Sequence, residues 1–475
     1  MMQKLGAKID SDEPDTQVLK DSSDGPPIQV IHDMAHSVKC VRNSWAKIKI
    51  LKNSKGQEID WNYIVKLYDL QCKEELVAAN KLTSKHIHFE NHKMKVVLAT
   101  QIFSRSVAKS LKFCREVLKL PAFLNSKPTE EFLIIMNDTF DLLNSRSSKG
   151  IKFKGPLRLS NQEDWLPFFN EAREYLAGLT NGVTGAIMVK TDPKKTGFLG
   201  IICNIIAVIE IYKANVLHGP LDYLLTYKLS QDHLEHYFGI VRSRLGANNN
   251  PTPLHFRYIY RRLLLGVTNS IVSHSNVLLQ DNSEIIGIIP STCDKIDYVI
   301  DNYNMSDIDF DFINNSTISN FKKNVLEYIG GFVVKKICLK MYCENCCDAI
   351  TGTPPETLVN LIKLKDYGNL MTYPSQLVCK VIEFSEQIIV KEIRTTNWLS
   401  KPFFFDFLCV KIVKSYMESN KIVLLDCNHN YELYKKIVAC YTSIKLKHHI
   451  KLENEKMKKK RLRNKLCRAV INYHE

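Results

Sequence analysis

Apolar positions along this chain recur mostly at spacings of three and four, and only briefly at two. The opening residues carry a short helical pattern ending at Gly6, then an acidic stretch from Asp10 to Asp24 closed by Pro26 and Pro27. The run Ile28-Gln-Val-Ile31 has strand character and leads into Asp33. From Met34 the period turns helical, with Val38, Val41 and Trp45 on one face, and Gly56 ends that unit. Residues 58–215 then read almost entirely helical. Trp61 to Leu70, Lys93 to Phe113, Thr129 to Leu143 and Asp164 to Leu179 each carry an apolar face, with Thr129 and Ser160 placed to act as N-caps. Gly197 to Tyr212 is apolar nearly all round and is expected at the centre.

A further helix is expected from near Ser230, a loop at Gly246 to Pro251, and another helix from Leu254 to Ser273. Residues 279–320 are polar and rich in Asn, Asp and Ser, as in a connection. Beyond it lie an apolar helix over Val325 to Leu339, a segment at Pro374 to Val390 within a helical region, and a basic helix over about 433–468.

Composition narrows the class. A chain of 475 residues, 45% hydrophobic and 24% charged, is an ordinary folded protein of several domains. The longest apolar run, Phe198 to Ile209, is broken by Asn204 and is too short to span a bilayer, so it predicts a core helix and no membrane partner. No apolar stretch of signal-peptide length opens the chain, which leads to the expectation of an intracellular protein whose 14 cysteines are thiols. A net charge of +15 attracts polyanions, nucleic acid first among them.

Four groups of residues could carry chemistry. Asp33 ends a strand-like run, where a sheet would fix a metal-binding carboxylate; it is equally placed to cap the helix that follows. His36, Lys39 and Arg42 then lie on one helical flank, as a phosphate-facing stripe or a solvated face. In Asp232-x-x-Glu235, Glu235 lies at the edge of a stripe formed by Leu234, Tyr237, Phe238 and Val241; the pair reads as a metal-ligand position or as a capping box. Cys343-x-x-Cys346, flanked by Cys338 and Cys347, has zinc spacing but lacks an evident second pair, which Cys379 or a histidine could supply. The tail from Lys445 to Lys465 suits phosphate contact, a nuclear localisation signal or a solvated helix face.

Ser230-Gln-Asp-His-Leu-Glu235 through Phe238-Gly, then Arg242-Ser-Arg244 and Asn248-Asn-Asn-Pro251, is similar to the signature near the last catalytic Glu of P element/THAP-type DNA transposases. The string Asp33, His36, Lys39, Arg42, Asn43 resembles the segment holding their second catalytic Asp. Lys93-Met-Lys-Val, Gln101-x-Phe-Ser-x-Ser-Val107-Ala, Phe140-Asp-x-Leu-Asn144 and Tyr328-Ile-Gly-Gly-Phe332 add shorter matches in the same order.

The resemblance implies an α/β chain with an RNase H-like domain, truncated at its N-terminus and interrupted by a helical insertion that binds a guanosine nucleotide. The boundaries expected are 1–55 and 219–275 for the two parts of the RNase H-like domain and 56–218 for the insertion. A polar linker over 276–322, a helical region over 323–432 and a basic tail over 433–475 follow. It implies Asp33 and Glu235 as catalytic, Mg²⁺-binding residues, GTP held by Asn137 and Asp141 with Asp232 nearby, and Lys93 or Lys95 at the phosphates. It also implies DNA as partner; the net charge and the basic tail point to contact through phosphates without sequence specificity and to a nuclear location, and a homo-oligomer is left open.

The family places its first catalytic Asp upstream of a helix ending like Met2-Gln-Lys-Leu5-Gly6. The expectation is therefore an incomplete two-metal site, and DNA binding without cleavage. The rival reading is a domesticated, non-catalytic DNA- or protein-binding module.

Overall fold

The computed structural model describes residues 7–8, 14–18, 28–244, 250–264, 318–341, 343–354, 359–395, 398, 403–419 and 429–471. They belong to two compact units, Met1–Glu284 and Ile285–Glu475.

In the first unit, strand β1 (Gln17–Val18) pairs antiparallel with β2 (Ile28–Gln29) in the register Gln17↔Gln29 and Val18↔Ile28. The strand expected over Ile28–Ile31 is thus shorter, and its partner comes from the stretch read only as acidic. Helix α1 (Met34–Ile48) follows, then β3 (Ile50–Lys52), β4 (Glu58–Asp60) and helices α2 (Asn62–Glu74), α3 (Ser84–Ile87), α4 (Val96–Ile102), α5 (Arg105–Lys112), α6 (Lys127–Leu143) and α7 (Gln162–Ala177). Strand β5 (Thr180–Asn181), α8 (Thr196–Tyr212), α9 (Asp232–Ser243) and α10 (Pro253–Leu264) complete the unit.

Helices make up most of the described residues of this unit, whose strands form one two-stranded and one three-stranded sheet, the latter in the order β4-β3-β5. Gly56 marks a hairpin turn, at φ +72°, rather than the end of a unit. The Asn53 side chain accepts the Lys55 and Gln57 N–H groups there, closing the turn between β3 and β4. Thr129 does not cap α6, which Ser126 precedes; its buried hydroxyl instead accepts the Asp60 N–H at 3.0 Å, tying α6 to β4. Asn161, one residue beyond Ser160, stands at the start of α7.

The core is built around α8, buried on nearly every side from Phe198 to Ile209. By length and composition Thr196–Leu217 could cross a membrane, but 72% of its most apolar window is covered by the rest of the protein, as befits a core helix. Helix α1 lies along it at unusually close range. A Cβ on Gly197 would stand 2.8 Å from the Val41 nitrogen and 2.9 Å from the Ser37 carbonyl oxygen, so only glycine admits this approach. Trp45 on the other side of α1 packs against Trp61 and Phe132, with ring centroids 5.0 and 5.2 Å away, and its Nε1 donates to the Ile59 carbonyl.

Asn204, the polar break in the apolar run, has a definite task. Its amide oxygen accepts the His32 N–H at 2.7 Å and its Nδ2 donates to the His32 carbonyl at 2.9 Å. A buried side chain thereby stands in for a neighbouring strand and holds the residue just before Asp33. Asn204→Leu would orphan both backbone groups, and an unfolding titration should show a loss of roughly 2–4 kcal/mol. A loss below about 0.5 kcal/mol would mean that the pairing carries nothing.

The second unit is helical, with α11 (Asn320–Cys338), α12 (Glu344–Ile350), α13 (Leu361–Lys365), α14 (Gln376–Thr395), α15 (Phe404–Glu418) and α16 (Asn430–Ile471). Strands β6 (Thr351–Gly352) and β7 (Tyr373–Pro374) pair antiparallel. Helices α11, α14, α15 and α16 enclose a core that includes Val325, Val334, Val381, Ile389, Leu408, Ile412, Ile437 and Tyr441. The helix ending at Gly6, the loop at 246–249 and the polar stretch 279–317 lie outside the described residues.

Candidate functional site

Four chain segments meet at one cavity of the first unit. Ile31, His32 and Met34 come from the end of the β2 segment, Leu143 from the end of α6, Asn204 and Val208 from α8, and Thr226, Leu229 and Ser230 from the approach to α9. Thr226 fixes the last segment: its hydroxyl donates to the Leu142 carbonyl at 2.6 Å and accepts the Ser145 N–H at 2.9 Å. The carriers of Asp33 and Glu235 are therefore neighbours despite their separation in the chain.

Asp33 caps α1. Its two oxygens accept the Ala35 and His36 N–H groups at 3.3 and 3.0 Å. Glu235 sits exposed in the first turn of α9, which starts after Gln231 without a side-chain cap, so the capping box is not formed. The stripe beside it is only partly buried: Val241 is covered, but Leu234 and Phe238 are exposed, because Phe238 stacks on Phe256 of α10 instead of entering the core. Asp232 accepts from Arg146 at 2.9 Å.

The stripe expected to face phosphates does not do so as a unit. Arg42 is fully buried, lies over the Phe89 ring and donates to the Asn43 side chain and to the His92 and Lys93 carbonyls; Lys39 is buried too. Burial lowers the Arg42 guanidinium to about 10, which leaves it charged at neutral pH. Their flank faces protein because α1 is covered by α4 as well as α8.

The α6 residues do come together. Asn137 Nδ2 donates to Asp138 Oδ1 at 2.9 Å and to Asp141 Oδ2 at 3.1 Å. Asp138, buried, takes a two-pronged bond from the Arg105 guanidinium. Burial pushes the Asp141 carboxyl above the usual aspartate range; Lys154 and the Asn137 bond oppose that shift, and the Asp138 charge adds to it. Lys93 pairs with Glu90 at 2.6 Å, and exposed Lys95 precedes α4.

Sequence reasoning missed Asp138 and Arg105. The available signal was phase. Asp138 stands three residues after Ile135 and four before Leu142, on the buried face of α6, where an aspartate needs a cation.

Residues 35–156 match the family model of the TNP-like GTP-binding insertion domain, 227–261 that of the TNP-like RNase H C-terminal domain, and 317–451 that of the C-terminal domain of DNA transposase THAP9. The chain is 26% identical to DNA transposase THAP9 of Homo sapiens, over 100% of this chain and 55% of that protein. It is 28% identical to the Transposable element P transposase of Drosophila melanogaster, over 98% of this chain and 58% of that protein. It thus spans little more than half the length of these curated relatives. Among solved structures, a chain of the Drosophila P element transposase strand transfer complex is similar, with a TM-score of 0.47 and 29% identity over 57% of this chain and 58% of that one.

Proposed function

This chain belongs to the P element/THAP-type family of DNA transposases, and from that premise we propose that it binds GTP through α6 and DNA through its cationic surface, without cleaving the DNA. The observation that carries the nucleotide reading is the joined Asn137–Asp138–Asp141 group within the segment matching a GTP-binding insertion domain. A carboxylate accepts the adjacent N–H donors of a guanine Watson–Crick edge, whereas adenine offers one donor beside an acceptor. Arg105 and Asn137 fix the α6 carboxylates before any ligand arrives, which spares ordering entropy on binding.

Mg²⁺ is the metal of the DNA chemistry we assign to the family ancestor. Asp33 and Glu235 fit it in kind, as hard oxygen donors on neighbouring segments. Two-metal phosphoryl transfer requires more carboxylates than these two, and Asp232 is already committed to Arg146. The reading of binding without cleavage rests on Asp33 and Glu235 as the carboxylates that these described segments supply. We assign a nuclear location on the same reading, since the relatives are DNA transposases.

Calorimetry with GTP and ATP tests the nucleotide assignment. GTP should bind in preference, and Asp141→Ala should weaken it by more than tenfold, the effect of two hydrogen bonds to a charged acceptor. Guanine recognition needs the carboxylate, and the Asp141 pKa is raised; GTP affinity should therefore fall on acidification at a higher pH than an ordinary aspartate would dictate. Equal affinity for GTP and ATP, or an unaffected Asp141→Ala chain, would sink the assignment.

A further inference from the structure

The short helix α12 begins with Cys343 at its N-cap, and Cys346 follows one turn in. More than eighty residues later His429 stands immediately before α16, where its carbonyl accepts the Leu433 N–H at 2.8 Å. The ligand atoms of Cys343, Cys346 and His429 all lie within 4.8 Å of one another. We propose that these three residues hold a structural zinc ion that fastens the start of α16 to α12.

The donor set suits that ion. Zinc takes thiolate sulfur at about 2.3 Å and imidazole nitrogen at about 2.0–2.1 Å, so tetrahedral ligand atoms stand roughly 3.5–3.8 Å apart. Closing from at most 4.8 Å asks for movement of about an ångström. Cys-x-x-Cys at a helix start is a common zinc half-site, and an imidazole from a distant segment completes three positions. The fourth falls to the adjoining pair Cys338 and Cys347: Cys347 shares a hydrogen bond with Cys338 and also feels Cys343. Cys379, which the sequence offered as a candidate, is not in the converging group; it interacts with Glu327 and Glu383 instead.

The environment agrees with a structural role. Cys346 has no exposed surface and Cys343 is half-buried, while exposed His429 gives the ion an entry side. The three residues come from two segments that share no strand or continuous helix, so a bound ion would close a long loop and restrict the unfolded chain. Its reach extends to function, since α16 is the helix that carries the basic tail.

The test is metal content of the full chain, purified under reducing conditions, followed by cobalt substitution. One zinc per chain is expected, with cobalt giving tetrahedral d–d bands and thiolate-to-metal charge transfer. Cys343→Ser and His429→Ala should each lose the ion, whereas His429→Cys, which keeps a ligand in place, should retain it. Cys338→Ser and Cys347→Ser made separately identify the fourth ligand by the drop in charge-transfer intensity. Chelation should speed hydrogen exchange in the first turns of α16 and leave α1 and α8 unchanged. A reduced chain that takes up neither zinc nor cobalt would overturn the site, as would zinc retained in a Cys343→Ser/Cys346→Ser/His429→Ala chain. A Cys343–Cys346 disulfide in a metal-free protein would replace it with a redox pair.

Discussion

Glu386→Ala should cost the C-terminal unit about 3–5 kcal/mol, the range for breaking one side of a buried ion pair. Glu386 projects from α14 into the core and is 2% exposed. One carboxylate oxygen accepts from Lys445 Nζ at 2.6 Å and the other from the Tyr441 hydroxyl at 2.6 Å, both residues lying on α16. Lys445 is as deeply buried as its partner, so truncating the glutamate strands an ammonium ion in the core. Burial, and next the Glu386 charge, raise the Tyr441 phenol well above its ordinary value, so it remains a donor throughout the usable pH range. Hydrogen exchange along α14 and α16 reads the loss unit by unit, which a global melt of a two-unit chain would blur. The control is Glu386→Leu with Lys445→Met, which removes both charges at similar volume and should recover most of the stability. Equal damage from the single and double changes would show that packing, not the stranded charge, set the cost.

Lys445 also marks where the sequence was misleading. It opens a run of lysines and arginines and was counted with the surface tail, yet it belongs to the core. The clue lay in its phase with Tyr441, Thr442 and Leu446, all buried, but a charge run conceals phase because lysine is acceptable on any exposed face. Long periodic segments were legible for the opposite reason. Helices α6, α8 and α16 present faces that only a helix can bury, and their limits fall within a few residues of the pattern. The hairpin of β3 and β4 escaped notice because three residues per strand cannot establish a period of two.

Sites were legible only as far as their parts sat close in the chain. Asn137 and Asp141 share one helix face, and their meeting follows from spacing alone. Arg105 reaches Asp138 from another helix, and His429 approaches Cys343 across most of the C-terminal unit; neither meeting has a local signature. Asn204 was visible as an interruption in an apolar run, but its partner, the His32 backbone, is not something a side-chain pattern can specify.

The 475-residue chain should bind duplex DNA of any sequence with an affinity that collapses as salt rises. The net charge is +15, and residues 453–475 hold eight lysines and arginines against three glutamates. The α16 backbone stays helical to Ile471, while Lys447 and Lys451 are exposed ahead of that segment. Each phosphate neutralised contributes about 0.9 to the log–log salt slope, so eight contacts give a slope near −7 and roughly a 10⁴-fold loss between 50 and 200 mM salt. Deleting residues 453–475 leaves Glu386, Tyr441 and Lys445 in place and should flatten the slope by about 0.9 for every contact removed. Lys445→Met in the Glu386→Leu background should leave the slope unchanged, since a buried charge releases no counterion. With Mg²⁺ added, supercoiled plasmid should stay intact, and neither Asp33→Ala nor Glu235→Ala should alter that result. A slope indifferent to the tail would move the DNA surface to another face of the protein. Mg²⁺-dependent nicking by the 475-residue chain, abolished by either substitution, would show that Asp33 and Glu235 work with a further ligand to make a complete metal site.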